Sequence, residues 1–367
     1  MRFLHFSDLH LDTPFRWAGR ELARARRQAL RDTLCRICEL AESERVDALL
    51  SAGDLYEQER FTPDTAAFLA ATFARLDPLP VFLAPGNHDW YGPQSIYRQV
   101  EWTPNVHVFR ESRLTPYGIT EGLTLWGAAH CAPANTDGFF DGGFRVDRGG
   151  LHVALFHGSE RSGMQWEDQG KSPHAPFSAQ QVAESGLHHA FCGHFHTPRD
   201  GQWHTYPGNP DPLTFGETGV RGAVLAEVSP TGEVSRTRHR VAVSEVHDVA
   251  VDLTGVPHAD AGRQRLADAL AGLSGVVRVT LSGEVDPDVD LHCIDMGGLG
   301  EHLQALVPRW AVTLGYDLDE LRDEPSVRGK FIRDVEADHR LTEELRRKVI
   351  STGLRALSGR RDELEVV

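Results

Sequence analysis

Five short motifs carrying histidine, aspartate and asparagine recur in the first two thirds of the chain. They are Asp8-Leu9-His10, Gly53-Asp54, Gly86-Asn87-His88-Asp89, His157 within Phe156-His157-Gly158, and Gly193-His194-Phe195-His196. Together they offer carboxylates, imidazoles and an amide oxygen, a donor set suited to a pair of divalent cations. Such a pair, roughly 3.5–4 Å apart, acidifies a water and clamps a phosphate, which is the chemistry of phosphate-ester cleavage. A mixed Asp/His/Asn set suits Mn²⁺, Fe²⁺ or Zn²⁺ better than Mg²⁺ or Ca²⁺, which prefer oxygen throughout. Asp8 and His10 lie two apart, so extended backbone would point both to one side to grip one cation, and His194 and His196 repeat that spacing. Glycine precedes Asp54, Asn87 and His194, which permits sharp turns and close backbone approach. Each motif alone has an ordinary explanation in a turn or a satisfied core pair; five in order do not.

These motifs need elements that bring them to one edge. Residues 1–7 read as a buried strand ending at Asp8, and Glu21 to Ser43 as a helix with Leu22, Leu30, Leu34, Ile37 and Ala41 on its apolar face. Val46–Ser51 is a second strand closed by Gly53-Asp54. Thr62-Pro63 opens a helix reaching about Leu76, with Thr62 as cap and Pro63 at its first position. Pro80–Ala84 is a third strand closed by Gly86-Asn87-His88. Strand, helix, strand, helix, strand predicts a parallel arrangement that places ligands at the strands' C-terminal ends.

Beyond residue 105 the pattern turns β-rich, with strands expected at Val106–Phe109, Leu123–Ala129, Leu151–Phe156 and His188–Cys192. Further strands are expected at Trp203–Tyr206, Gly222–Val228 and Val234–Val241. Ser178-Ala179-Gln180-Gln181 resembles a capping box opening a short helix, and Thr231-Gly232 a hairpin turn. The expected core is therefore two sheets packed face to face with helices outside, over residues 1–242. Residues 243–335 read as a small α+β domain. Its expected strands are Val246–Leu253, Val276–Leu281 and Ala311–Tyr316, with helices at Ala261–Leu273 and Gly297–Val307. Residues 336–367 read as a charged helical segment, with Leu341, Leu345, Val349 and Ile350 at helical spacing.

The 367 residues are 40% hydrophobic and 25% charged, as in an ordinary globular protein, with room for a large domain and a smaller one. The apolar start lacks the basic region and cleavage site of a signal peptide, and no run reaches membrane-spanning length. A cytoplasmic protein with no membrane partner is expected. Cys35, Cys38, Cys131, Cys192 and Cys293 form no regular framework, which fits a reducing compartment; Cys35 and Cys38 read as helix residues rather than metal ligands. A net charge of −15 argues against a general nucleic-acid binder, although a polyanion needs only a local basic surface.

As an ordered set, the five motifs resemble the calcineurin-like metallophosphoesterase superfamily, over roughly residues 1–240. Phe6-Ser7-Asp8-Leu9-His10-Leu11, Ala52-Gly53-Asp54-Leu55-Tyr56, Tyr206-Pro207-Gly208-Asn209 and Phe215-Gly216-Glu217, followed by Gly219 and Gly222, look like the SbcD-type DNA repair nucleases within it. The resemblance implies a four-layer α/β core, two mixed β-sheets flanked by helices, with a small C-terminal α+β cap. It implies a first cation on Asp8, His10 and His196, a second on Asn87, His157 and His194, and Asp54 bridging them. His88 would act on the transition state or the leaving oxygen, with Asp89 orienting its loop. Two divalent ions, Mn²⁺ foremost, 3′→5′ exonuclease with endonuclease activity on DNA, homodimerisation and an SbcC-type ATPase partner are further implications. Where some relatives carry a histidine shortly after Gly-Asp, this chain has Glu57, and Asn209 stands where serine is common.

Arg16, Arg20, Arg24, Arg27 and Arg31 are spaced by four or three and would form one helical stripe. It is either a phosphate-backbone track or a solvated face, depending on whether it faces the metal edge. His5, His188 and His189 read as structural, and His130 as structural before substrate-facing. His174 lies in the loop Gly163–Pro176, whose simpler reading is a solvated loop and whose functional one is a mobile rim. The alternatives to a nuclease are a small-molecule phosphodiesterase or phosphatase with the same dimetal core, and a non-catalytic scaffold.

Overall fold

The computed structural model describes residues 1–134, 136–161, 173–217, 219–287, 289, 294 and 296–358. It divides into two units, Met1–Val246 and His247–Val367. The first half of unit one runs β1 (Arg2–Phe6), α1 (Arg20–Ser43), β2 (Ala48–Ser51), α2 (Pro63–Ala74), β3 (Val81–Leu83), α3 (Ile96–Gln99) and β4 (Val106–Val108). Its second half runs β5 (Thr115–Thr120), β6 (Leu123–Gly127), β7 (Leu151–His157), α4 (Ala179–Glu184), β8 (His189–Gly193), β9 (Arg199–Asp200), β10 (His204–Tyr206), β11 (Gly222–Val228) and β12 (Val234–Arg240).

The strands form two six-stranded mixed sheets, in the orders β12-β11-β1-β2-β3-β4 and β5-β6-β7-β8-β10-β9. Strands β1 to β4 are parallel, as are β6, β7, β8 and β10. Side-chain alternation explains the layering. On one face of the first sheet Leu4, Phe6, Leu49 and Leu83 pack with Leu30, Leu34 and Ile37 of α1 and Leu69 and Phe73 of α2. Their neighbours Phe3, Ala48, Leu50 and Phe82 turn inward against Leu125, Val153, Leu155 and Phe191 of the second sheet. The outer face of the second sheet, with Trp126, Ala154, Phe156 and Cys192, is covered by Phe139, Phe140 and α4 through Val182. The fourth layer is thus thin, one six-residue helix and a loop carrying aromatic rings.

Local signals acted as expected. Thr62 caps α2 with Pro63 at its start, Ser178 and Gln181 complete a capping box on α4, and Gly232 turns the β11–β12 hairpin at φ +85°. Cys35 and Cys38 sit on α1, half-buried and buried, and burial pushes the Cys38 thiol up to about 12.

Unit two holds the three-stranded sheet β13 (Val246–Asp252), β14 (Val276–Val285) and β15 (Ala305–Leu314) with α5 (Ala259–Leu270). The helix expected over Gly297–Val307 is not formed. Residues 297–303 are turns, Gly298 takes φ +76°, and the strand expected from Ala311 begins at Ala305 and pairs with β14 over ten residues. Three glycines in four positions oppose a helix, while Val307, Trp310, Val312 and Thr313 favour a strand. Residues 243–245 belong with unit one, because the Asp211 carboxylate accepts the Val243 and Ser244 amides at 2.8 and 3.0 Å. Residues 318–336, read as part of the α+β domain, form two further helices, α6 (Leu318–Asp323) and α7 (Val327–Glu336), and the charged segment after them forms α8 (Glu343–Leu357). Helices α7 and α8 pack through Ile332, Val335, Ile350 and Leu354. Cys293 and the expected helical residues 359–367 lie outside the described residues.

Candidate metal centre

All five motifs stand at C-terminal ends of parallel strands. Asp8 and His10 follow β1, Asp54 follows β2, the Asn87 loop follows β3, His157 closes β7, and His194 and His196 follow β8. The segments after β1 and β2 stay paired, with the Asp8 and His10 amides donating to the Gly53 and Asp54 carbonyls at 3.0 and 2.9 Å. Two glycines allow the approach of the loops. A Cβ on Gly86 would strike the Asp54 carboxylate, and one on Gly193 would strike the Ala52 carbonyl.

The spacing argument fails in one respect. Asp8, His10 and Asp54 take φ of +55°, +51° and +52°, and His194 takes +115°, so none of these residues is extended. Left-handed backbone at non-glycine residues is uncommon and concentrates where surroundings force it. Here it aims the side chains. His194 and His196 do not share a side: His196 groups with Asp8 and His10, whereas Nδ1 of His194 lies 3.2 Å from Nε2 of His157.

Three sets of side chains have donor atoms within 4.8 Å of one another: His10 with Glu57 and His88, and two built from candidate ligands, Asp8 with His10 and His196 and Asp8 with Asp54 and His157. Asp54 joins the last two. Its Oδ1 accepts the His88 amide at 2.8 Å, and its Oδ2 lies 3.6 Å from Nε2 of His10 and 3.3 Å from Nε2 of His157. One carboxylate oxygen therefore sits between imidazoles of both sets. Burial would raise the Asp54 carboxyl, but His157, His10 and His88 outweigh it and hold it well below the usual range. Burial opposes protonation of His157, yet Asp54 and Asp8 lift it to about 9.

These residues fit divalent cations on grounds internal to the structure. Nε2 of His10 and Oδ1 of Asn87 are buried and have no hydrogen-bond partner, a costly state for polar atoms unless something else is coordinated. The surrounding donors are carboxylate, imidazole and amide, as transition-metal sites require.

Supporting contacts fix the cluster. Ser7 Oγ donates to Asp8 at 2.5 Å, and the His194 amide donates to both Asp8 oxygens at 3.1 Å. Asp89 is fully buried and accepts the Asp54, Leu55 and Gly86 amides and the Tyr97 hydroxyl, which ties the β2 and β3 loops together. Burial and the nearby Asp54 raise its carboxyl to about 6.

Several roles were not legible from motifs. Glu57 accepts from Nδ1 of His10 at 2.8 Å and Nδ1 of His88 at 3.1 Å. Burial opposes protonation of His88, but Glu57 and Asp54 raise it to about 9. Glu217 accepts from Nδ1 of His196 at 3.0 Å and Nδ2 of Asn209 at 2.7 Å, so the Asn209 and Glu217 motifs serve His196. His174 lies against His194, ring centres 5.5 Å apart, rather than in open solvent. The remainder of its loop, residues 162–172, lies outside the described residues, and with it the reading of a mobile rim. His130 is buried, with its ring bonded to the His157 carbonyl and Thr136 at 2.8 Å each, and burial lowers it to about 3.

The arginines divide. Arg16 lies in the turn before α1, and Arg20 and Arg24 on its first turns; all three are exposed. Arg27 is half-buried. Arg31 is tied to α2, paired with Asp64 at 2.6 Å and lying over the Phe68 ring.

Residues 1–198 match the family model of the calcineurin-like phosphoesterases. The match covers more than half of the chain, and the protein belongs to that family of metal-using phosphoester hydrolases. It is 29% identical over 329 residues to the uncharacterized metallophosphoesterase YhaO of Bacillus subtilis (strain 168), covering 83% of this chain and 77% of that one. The crystal structure of TT1561 of Thermus thermophilus matches with a TM-score of 0.39 and 12% identity, over 65% of this chain and 98% of the other. Among the described residues no helix is long and apolar enough to cross a membrane.

Proposed function

We propose that this phosphoesterase is a Mn²⁺-dependent DNA nuclease of the SbcD type, a 3′→5′ exonuclease with endonuclease activity, acting in DNA repair in the cytoplasm. The observation that carries phosphodiester hydrolysis is Asp54 Oδ2 standing between His10 and His157. When bound, divalent cations in such a cluster supply activation of the nucleophile and neutralisation of the phosphoryl charge. Asp8, His10 and His196 would hold one, Asn87, His157 and His194 the other, with Asp54 shared. His88, partly exposed and held by Glu57, would give its proton to the departing oxygen. Exposed Arg16, Arg20 and Arg24, which form no ion pair among the described residues, support a polyanionic substrate over a small one. A homodimer and an SbcC-type ATPase partner complete this reading.

The test is a Mn²⁺-dependence assay on labelled single- and double-stranded DNA beside a small chromogenic phosphodiester. Degradation of DNA is expected, and Arg20→Glu with Arg24→Glu should weaken DNA binding and flatten its salt dependence. Hydrolysis of the small ester alone would replace the nuclease by a small-molecule phosphodiesterase.

A further inference from the structure

The imidazoles of the cluster are not braced alike. A carboxylate can only accept, so Nδ1 of His10 and of His196 must carry the hydrogen they share with Glu57 and Glu217. Each ring then offers Nε2 as a lone pair. Nδ1 of His157 faces only the Ala52 carbonyl, at 2.9 Å, and His194 has its Nδ1 directed at His157. Glu217 is itself fixed, accepting the Leu213 and Thr214 amides at 2.7 and 3.3 Å as well as Asn209.

We propose that the two cation positions are unequal: the one on Asp8, His10 and His196 binds a divalent ion more tightly than the one on Asn87, His157 and His194, and Glu57 and Glu217 cause the difference. A carboxylate behind an imidazole fixes its tautomer and strengthens it as a donor, and loss of such a partner typically weakens metal binding by about 10–100-fold. The first position has two such carboxylates, besides Asp8 as a charged ligand. The second has a neutral amide, one ring braced by a neutral carbonyl, and charge that it shares with the first, from Asp54 and from Asp8, whose carboxylate also lies within 4.8 Å of the Asp54 and His157 donor atoms. Glu57 also spends its second oxygen on His88, so the charge that tightens the first position also orients the proton donor.

The inference rests on the two-cation reading. Mn²⁺ titration of the full chain, followed by the electron paramagnetic resonance signal of free Mn²⁺ and by calorimetry, separates the two. Two classes of site at least about tenfold apart are expected. Glu57→Gln and Glu217→Gln, which keep size and an acceptor oxygen, should each weaken the tight class by about 10–100-fold and leave the weak class in place. Asn87→Asp should tighten the weak class alone. Two equal classes, or a tight class unmoved by both glutamine variants, would overturn the inference and leave the two-cation reading standing. An absence of Mn²⁺ binding would sink that reading itself. Thermal unfolding of each variant serves as the folding control. Glu57, which makes fewer bonds than Glu217, decides the matter if Glu217→Gln does not fold.

Discussion

Glu57 connects two residues that the motifs name separately. It accepts from a ligand imidazole with one oxygen and from His88 with the other. Against the effect of burial, Glu57 and Asp54 raise His88 to about 9, which favours the protonated ring. A positioned acid of this kind contributes on the order of 10²–10⁴ in rate. His88→Ala should therefore lower kcat on DNA by at least about a hundredfold while the Mn²⁺ stoichiometry stays at two. An ester with a nitrophenolate leaving group needs no proton on departure and should lose much less. Equal rates for the variant and the parent on DNA would remove His88 from the mechanism. The position of His88 was readable from Gly86-Asn87-His88-Asp89; its partner was not, because a glutamate after a Gly-Asp turn has no signature of its own.

Helix α1 shows how one element carries two unrelated loads. Its exposed side presents Arg20 and Arg24, whereas Arg26 is fully buried and pairs with Asp211 at 3.0 Å. The Arg26 guanidinium also meets the Pro212 carbonyl and lies 5.3 Å from the centre of the Phe15 ring. Asp211 in turn accepts Thr33 Oγ1 at 2.9 Å and the Val243 and Ser244 amides. Removing one partner of a buried pair leaves an uncompensated charge, worth about 3–5 kcal/mol. Asp211→Ala should lower stability by about that amount, read as a shift in the urea midpoint with unchanged slope. Arg26→Met combined with Asp211→Asn should lose less; an equal loss would show that packing rather than charge dominates there. Periodicity gave the apolar face of this helix, but it could not distinguish the buried arginine from the exposed ones, since its partner lies 185 positions away.

At the scale of the molecule, the seam between the two sheets contains ionisable groups. His5 and His189 are buried there. Burial, then His189 and Arg238, holds His5 well below its ordinary value; burial, then Arg236 and His204, lowers His189 to about 3. In the unfolded chain both titrate near 6.5. Below that pH the unfolded state takes up protons that the folded state refuses, so stability is complete above about 6.5 and is lost as pH falls toward about 3. Acid denaturation of the chelator-treated protein should follow that window. His189→Gln, which can still bond Thr205, should make the decline shallower. An unchanged slope would show that His189 protonates without unfolding the seam.

The chain's local chemistry alone determined the first strands, the helix caps and the five metal-type motifs, because apolar periodicity, cap residues and short motifs are properties of neighbours in sequence. The choice of seven ligands within those motifs came from the family resemblance. Only the tertiary structure decided which ligands face each other. His194 parted from His196 because left-handed backbone, enforced by close packing of the strand ends, redirected the side chains. The same holds for Glu57, Glu217 and Asp211: an acidic side chain becomes a brace or a counter-ion only when the fold brings a distant ring or guanidinium within hydrogen-bonding reach and excludes water from both.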